Sequence, residues 1–117
     1  MGLKAFLDSE KCPCCGRSDN YFTSRNLTHN LAEMARKAGV YDAVWHPEQL
    51  VTSGTPKAWH VLGRLTRGTT GMKADPAQFK KLEPSNGWGT YDDFLLWLEE
   101  YRNACELFPD ALVTVER

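Results

Sequence analysis

TYDDFLLWLEEYRNACELFPDALVTVER, residues 90–117, reads as a long helix that hands over to a strand. Phe94, Leu98, Tyr101 and Cys105 recur at intervals of three and four, which is one face of an α-helix, and Leu95 and Trp97 widen that face. Thr90 with Asp93 three residues on resembles a capping box, so the helix starts at Tyr91. Pro109 stops it near Leu107. Ala111–Glu116 then reads as a strand, with Val113 and Val115 on one side. A strand at this end needs a partner, and two strands alone are marginal unless a helix covers them. Tyr21-Phe22-Thr23-Ser24 has strand-like residues and is the partner the sequence offers.

Between these strands the pattern is helical. Leu27, Leu31, Met34, Ala35 and Ala38 mark one helical face, opened by Thr28 as N-cap and closed by Gly39. His29, Glu33 and Arg36 fall on the opposite face. Val40–Leu50 reads as a short helical turn broken by Pro47. Thr55-Pro56 opens a helix to about Arg67 that buries Trp59, Leu62 and Leu65, interrupted at Gly68–Gly71. Asp75-Pro76 restarts a helix through Phe79 and Leu82. The expected fold is α+β, one small and mostly helical domain over residues 20–117. Its two-stranded antiparallel sheet is formed by the first and last strands, and residues 1–19 are a cysteine-bearing hook.

The 117 residues are 42% hydrophobic and 25% charged, an ordinary globular balance that supports a core without staples. The net charge of −1 selects no partner. Its distribution is uneven: residues 57–82 hold Lys57, Arg64, Arg67, Lys73, Lys80 and Lys81 against Asp75 alone, while residues 83–117 are mostly acidic. Either the basic and acidic helices face each other, or the basic segment carries an anion site. No apolar run suits a membrane helix, and MGLKAFLDSE lacks both a signal-peptide core and the hydroxyl residue of a myristoylation motif, with Phe6 at that position. A cytoplasmic protein is expected, with neither membrane nor nucleic acid as partner.

Three places could carry chemistry. Cys12-Pro13-Cys14-Cys15-Gly16 places Cys12 and Cys15 at zinc-knuckle spacing, half of a structural zinc site. Cys14, Cys105, His29, His46, His60 or a second chain would complete it; free thiols are the alternative. Asn26, His29 and Asn30 gather at a helix start, where free amides attract anions, although ordinary capping explains the same residues. Asn86-Gly87-Trp88-Gly89-Thr90-Tyr91 holds an indole between two glycines beside another helix start. It is either a plug over the core or a platform for a ligand.

THNLAEMARKAGVYDAVWHPE (28–48) together with PSNGWGTYDDFLLWLEEYRNACELFPDALVTVER (84–117) resembles a family of small uncharacterised proteins common in bacteriophage and prophage genomes. The shared pattern is Thr-His-Asn-apolar-x-x-Met-Ala, an Asp-Pro, Asn-Gly-Trp-Gly-x-Tyr, then Ala-Cys and a terminal Arg. It spans residues 26–117, with His46 departing from an expected Arg. The resemblance implies an accessory protein acting in the host cytoplasm. Carried onto this chain, it makes Asn26, His29, Asn30, Asn86, Trp88 and Tyr91 a polar-aromatic pocket for a nucleotide-like or anionic ligand, with Arg64 and Arg67 adding charge. On that expectation the protein is a non-enzymatic binder, such as a counter-defence sponge. The alternatives are a module that inhibits a host protein and a hydrolase using His29.

Overall fold

The computed structural model describes residues 2–117. Its first element is a strand, β1 (Gly2–Asp8), and the sheet is assembled around it. β2 (Asn20–Thr23), β3 (Leu27–Thr28) and β4 (Leu112–Glu116) all pair with β1 and all run antiparallel to it. The β4 register runs from Lys4 opposite Glu116 to Asp8 opposite Leu112. Between β2 and β3 the chain stays tied to β1 through Ser24, whose N–H donates to the Ala5 carbonyl at 2.9 Å while its Oγ accepts from the Ala5 N–H at 2.8 Å.

The α+β class is as expected, and the first and last strands of the chain do pair. The expectation fails on which strand is first. Tyr21–Ser24 supplies the flanking β2, the sheet has four strands rather than two, and the opening residues are no mere hook. Leu3, Ala5 and Leu7 alternate inward along β1 and are fully buried, so the start of the chain is part of the core.

The helices cover this sheet. After a 3-10 turn at His29–Leu31 come α1 (Ala32–Ala38) and α2 (Tyr41–Trp45). A second 3-10 turn at Pro47–Leu50 leads to α3 (Ala58–Ala74), α4 (Pro76–Lys80) and α5 (Tyr91–Leu107). Gly39 ends α1 at φ 79°, a left-handed conformation that favours glycine. The seam read on α5 is the buried one: Phe94, Leu98, Tyr101 and Cys105 are shut away from solvent with Val61, Leu65 and Met72 of α3. Lys73 pairs with Glu99 at 2.9 Å and Arg102 Nε donates to Thr66 Oγ1 at 3.0 Å, so the basic and acidic helices do face each other.

α3 departs from expectation at both ends. It starts at Ala58 rather than Pro56, because the N–H groups of Ala58 and Trp59 donate to the carbonyls of Ala111 and Pro109. That pins the helix start beside β4. Trp59 is more than half exposed instead of buried. The helix also runs unbroken through Gly68 and Gly71. Gly68 is there for close approach: a Cβ would collide with the Val40 side chain and crowd the Ala38 carbonyl, whereas Gly71 faces open space. Gly68→Ala is therefore expected to cost about 1–3 kcal/mol by overpacking. Gly71→Ala should gain about 0.5–1 kcal/mol from helix propensity. Paired urea melts check both signs. Deleting residues 2–8 should abolish the cooperative transition, since no other strand can hold β2, β3 and β4 together.

Candidate functional site

The Trp88 loop is built from the turn upward. Asn86 Oδ1 accepts from the Trp88 N–H at 2.9 Å, closing a side-chain-to-backbone turn before the indole. Gly87 and Gly89 take φ of 78° and 104°. At Gly89 the reason is contact as well as torsion, because a Cβ would stand 2.8 Å from Thr28 Cγ2 and 3.0 Å from Leu31 Cγ. The loop is thereby pressed onto the end of β3 and the 3-10 turn that follows it. Trp88 is 70% exposed, so the indole is not a core plug.

Beside it lies a cavity of about 560 Å³, roughly the size of a small-molecule site. It is lined by Gly2, Leu27, Leu31 and Gly89, by the polar Arg25, Asn26, Thr28 and Asp93, and by the indoles of Trp88 and Trp97. The Trp97 Nε1–H donates to the Arg25 carbonyl at 2.8 Å, and the Arg25 guanidinium meets Glu100 at 2.9 Å. One cation and one carboxylate thus face the space, and the lining adds no thiol, imidazole or serine hydroxyl.

The other expected site residues lie elsewhere. Tyr91 is buried, and its hydroxyl donates to the Met72 carbonyl at 2.7 Å. It ties α5 to α3 as a core residue. His29 Nδ1 accepts from the Trp45 Nε1–H at 2.8 Å, which holds the ring toward α2, and His29 is not among the cavity's lining residues. Asn30 is exposed outside the lining, with its backbone N–H donating to Thr28 Oγ1 at 3.3 Å. Asn86 shapes the loop without lining the cavity. Arg64 and Arg67 are exposed on α3, also outside it. The expected anion site at the first helix start is not built, because that start is a 3-10 turn leading into a seven-residue helix. At α5 two of the terminal amides are taken: Glu83 Oε2 accepts from the Tyr91 N–H at 2.7 Å and Thr90 Oγ1 from the Asp93 N–H at 3.1 Å. A carboxylate of the chain itself already occupies the place of an anion.

Arg25, Thr28, Asp93 and Trp97 line the cavity although the sequence pattern does not mark them as site residues. Thr28 and Asp93 read as capping residues and Trp97 as helix seam, which each also is. No local signal marked Arg25.

The thiols divide into two classes. The amides of Cys14 and then Cys15 point at the Cys12 sulfur and hold its thiol below the ordinary range. Cys105 is buried in the core, and burial pushes its thiol up from 9.0 to about 12. Cys105 is thus removed from the expected zinc ligands, and so are the histidines: His29 is held by Trp45, His60 Nδ1 accepts from the Lys57 N–H at 2.9 Å, and His46 sits between Glu48 and Arg117. No helix among the described residues is long and apolar enough to cross a membrane. Neither a family model, nor a curated protein, nor a solved structure matches this chain.

Because Cys105 loses its proton later in the fold than in the unfolded chain, the unfolded state binds fewer protons above pH 9.0. Stability is then expected to fall as pH rises from 9.0 toward about 12, and Cys105→Ala should remove part of that slope. Thiol labelling at neutral pH should modify Cys12, Cys14 and Cys15 and spare Cys105 until the protein is unfolded.

Proposed function

We propose that this protein is a non-enzymatic binder of a small ring-bearing ligand, nucleotide-like in class, held at the Trp88 cavity. The observation that carries the reading is the indole itself. It is exposed, yet its loop is fixed by the Asn86 turn and by the contact of Gly89 with Thr28 and Leu31. A solvent-facing aromatic on a fixed loop beside a cavity suits stacking, and base–aromatic stacking is worth about 1–3 kcal/mol per base. The Asn26 amide and Thr28 hydroxyl supply donors and acceptors for a ring edge. Arg25, whose pairing with Glu100 is exposed, can exchange that partner for an acidic group of the ligand, a role the helix starts do not fill. Binding is favoured over hydrolysis because His29 is turned to Trp45 and Asp93 is the one carboxylate on the cavity. The likeness of residues 26–117 to phage proteins gives this binder a setting, sequestering a nucleotide signal in the host cytoplasm.

A second reading rests on a different surface. Tyr21 stacks on Phe108 at 4.7 Å between ring centroids, and Leu107 beside them is 74% exposed. An apolar strip of this kind suits a protein partner such as a host factor to be inhibited.

The two readings separate experimentally. Titration with a panel of nucleotides and cyclic dinucleotides should quench or shift tryptophan fluorescence and raise the melting temperature for the wild type. Trp88→Ala should weaken the best ligand by about 5- to 150-fold, the equivalent of one stacking contact. It should leave unliganded stability within about 0.5 kcal/mol, as for an exposed side chain. A panel that moves neither signal would remove the binder reading. A host protein captured by the wild type but lost in Leu107→Asp would favour the second.

A further inference from the structure

The loop joining β1 to β2 holds three thiols that the Trp88 cavity does not use. Its base is closed by Ser9 and Asp19: the Ser9 N–H donates to the Asp19 carbonyl at 2.8 Å and the Asp19 N–H to Ser9 Oγ at 2.7 Å. Above that, the Cys12 N–H donates to the Arg17 carbonyl at 2.8 Å and the Gly16 N–H to the Cys12 carbonyl at 2.7 Å. Gly16 closes the turn at φ 70°. These bonds fold Cys12–Gly16 into a tight turn that carries the C-x-x-C pair, Cys12 and Cys15, on one exposed loop. A glycine-closed C-x-x-C turn is the form in which one half of a structural zinc site is presented.

One chain cannot complete it. Structural zinc takes four ligands in a tetrahedron. Among the described residues no group of three or more His, Cys, Asp or Glu side chains is placed to share an ion. Cys105 lies in the core, and the three histidines are held on other elements. Nothing covers the loop, however, since Cys14, Cys15, Gly16 and Arg17 are all exposed.

We propose that the knuckle is half of a zinc site that a second copy of this chain completes, with Cys12 and Cys15 of each copy binding one Zn²⁺. Two identical half-sites on a shared ion close as a two-fold dimer, joined loop to loop. On binding, the four thiols release their protons to solvent and donate as thiolates. The centre then carries a net charge of −2, and Lys11 and Arg17, which bracket the knuckle in sequence, offset it. Cys14 is not a ligand in this arrangement.

Protein purified in reductant without chelator is expected to contain one zinc per two chains and to sediment as a dimer. A chelator should release the metal and give monomers with unchanged far-ultraviolet circular dichroism, because the loop lies outside the core. Cobalt(II) in place of zinc should give the visible bands of a tetrathiolate site. Cys12→Ser and Cys15→Ser should each lose metal and dimer together, while Cys14→Ser keeps both. Monomer that takes up no zinc when Zn²⁺ is added would overturn the proposal. So would one zinc per chain in a monomer, or a dimer that survives the Cys12→Ser/Cys15→Ser double substitution. Loss of zinc in Cys14→Ser but not in Cys15→Ser would overturn the ligand assignment.

Discussion

The fold depends on one strand. β1 hydrogen-bonds to every other strand of the sheet while its inward side chains, Leu3, Ala5 and Leu7, are fully buried. Removing it would leave three short segments that do not pair with one another, and short strands without a common partner are not stable in water. Ser24 shows how closely the sequence serves this strand. A single hydroxyl accepts from the Ala5 N–H, where the ladder between β2 and β3 would otherwise lapse.

The helices answer to the same arrangement. α5 lies against α3 through a buried, mainly apolar seam edged by polar contacts, and Trp97 fastens it to the β2–β3 segment through the Arg25 carbonyl. That bond joins two residues of the cavity lining, so a residue of the core helix helps define a surface feature. Much of the site is made of parts with structural duties of their own: Thr28 caps, Asp93 is capped and Gly89 permits contact, whereas the Trp88 indole is largely exposed. An exposed aromatic with no packing role, carried on a fixed loop, is where a binding function is best sought.

Much of this was legible in the sequence, and the exceptions have physical causes. The α5 seam, the β4 strand, the Gly39 stop and the Asp75-Pro76 restart follow from periodicity and capping, which are local. β1 was legible too, because Leu3, Ala5 and Leu7 alternate, but the polar cysteine stretch beside them drew the whole segment into a lead-in. Gly68 was misread because a glycine that breaks a helix and one that admits a neighbouring Val40 look alike in one dimension. In the site, the glycine-hinged indole could be read and its exposure could not. Arg25 reaches the cavity through a tertiary contact to Trp97, seventy-two positions away, which no local pattern encodes.

The pairing of β1 with β4 also has a temporal side. Residues 4–8 are synthesised well before their partners at 112–116. The central strand therefore waits through synthesis of the whole intervening segment with one edge open, the circumstance in which nascent proteins are most prone to pair with the wrong neighbour. Lys4 and Asp8 on that strand add charge to it, a modest safeguard during the interval before β4 is made.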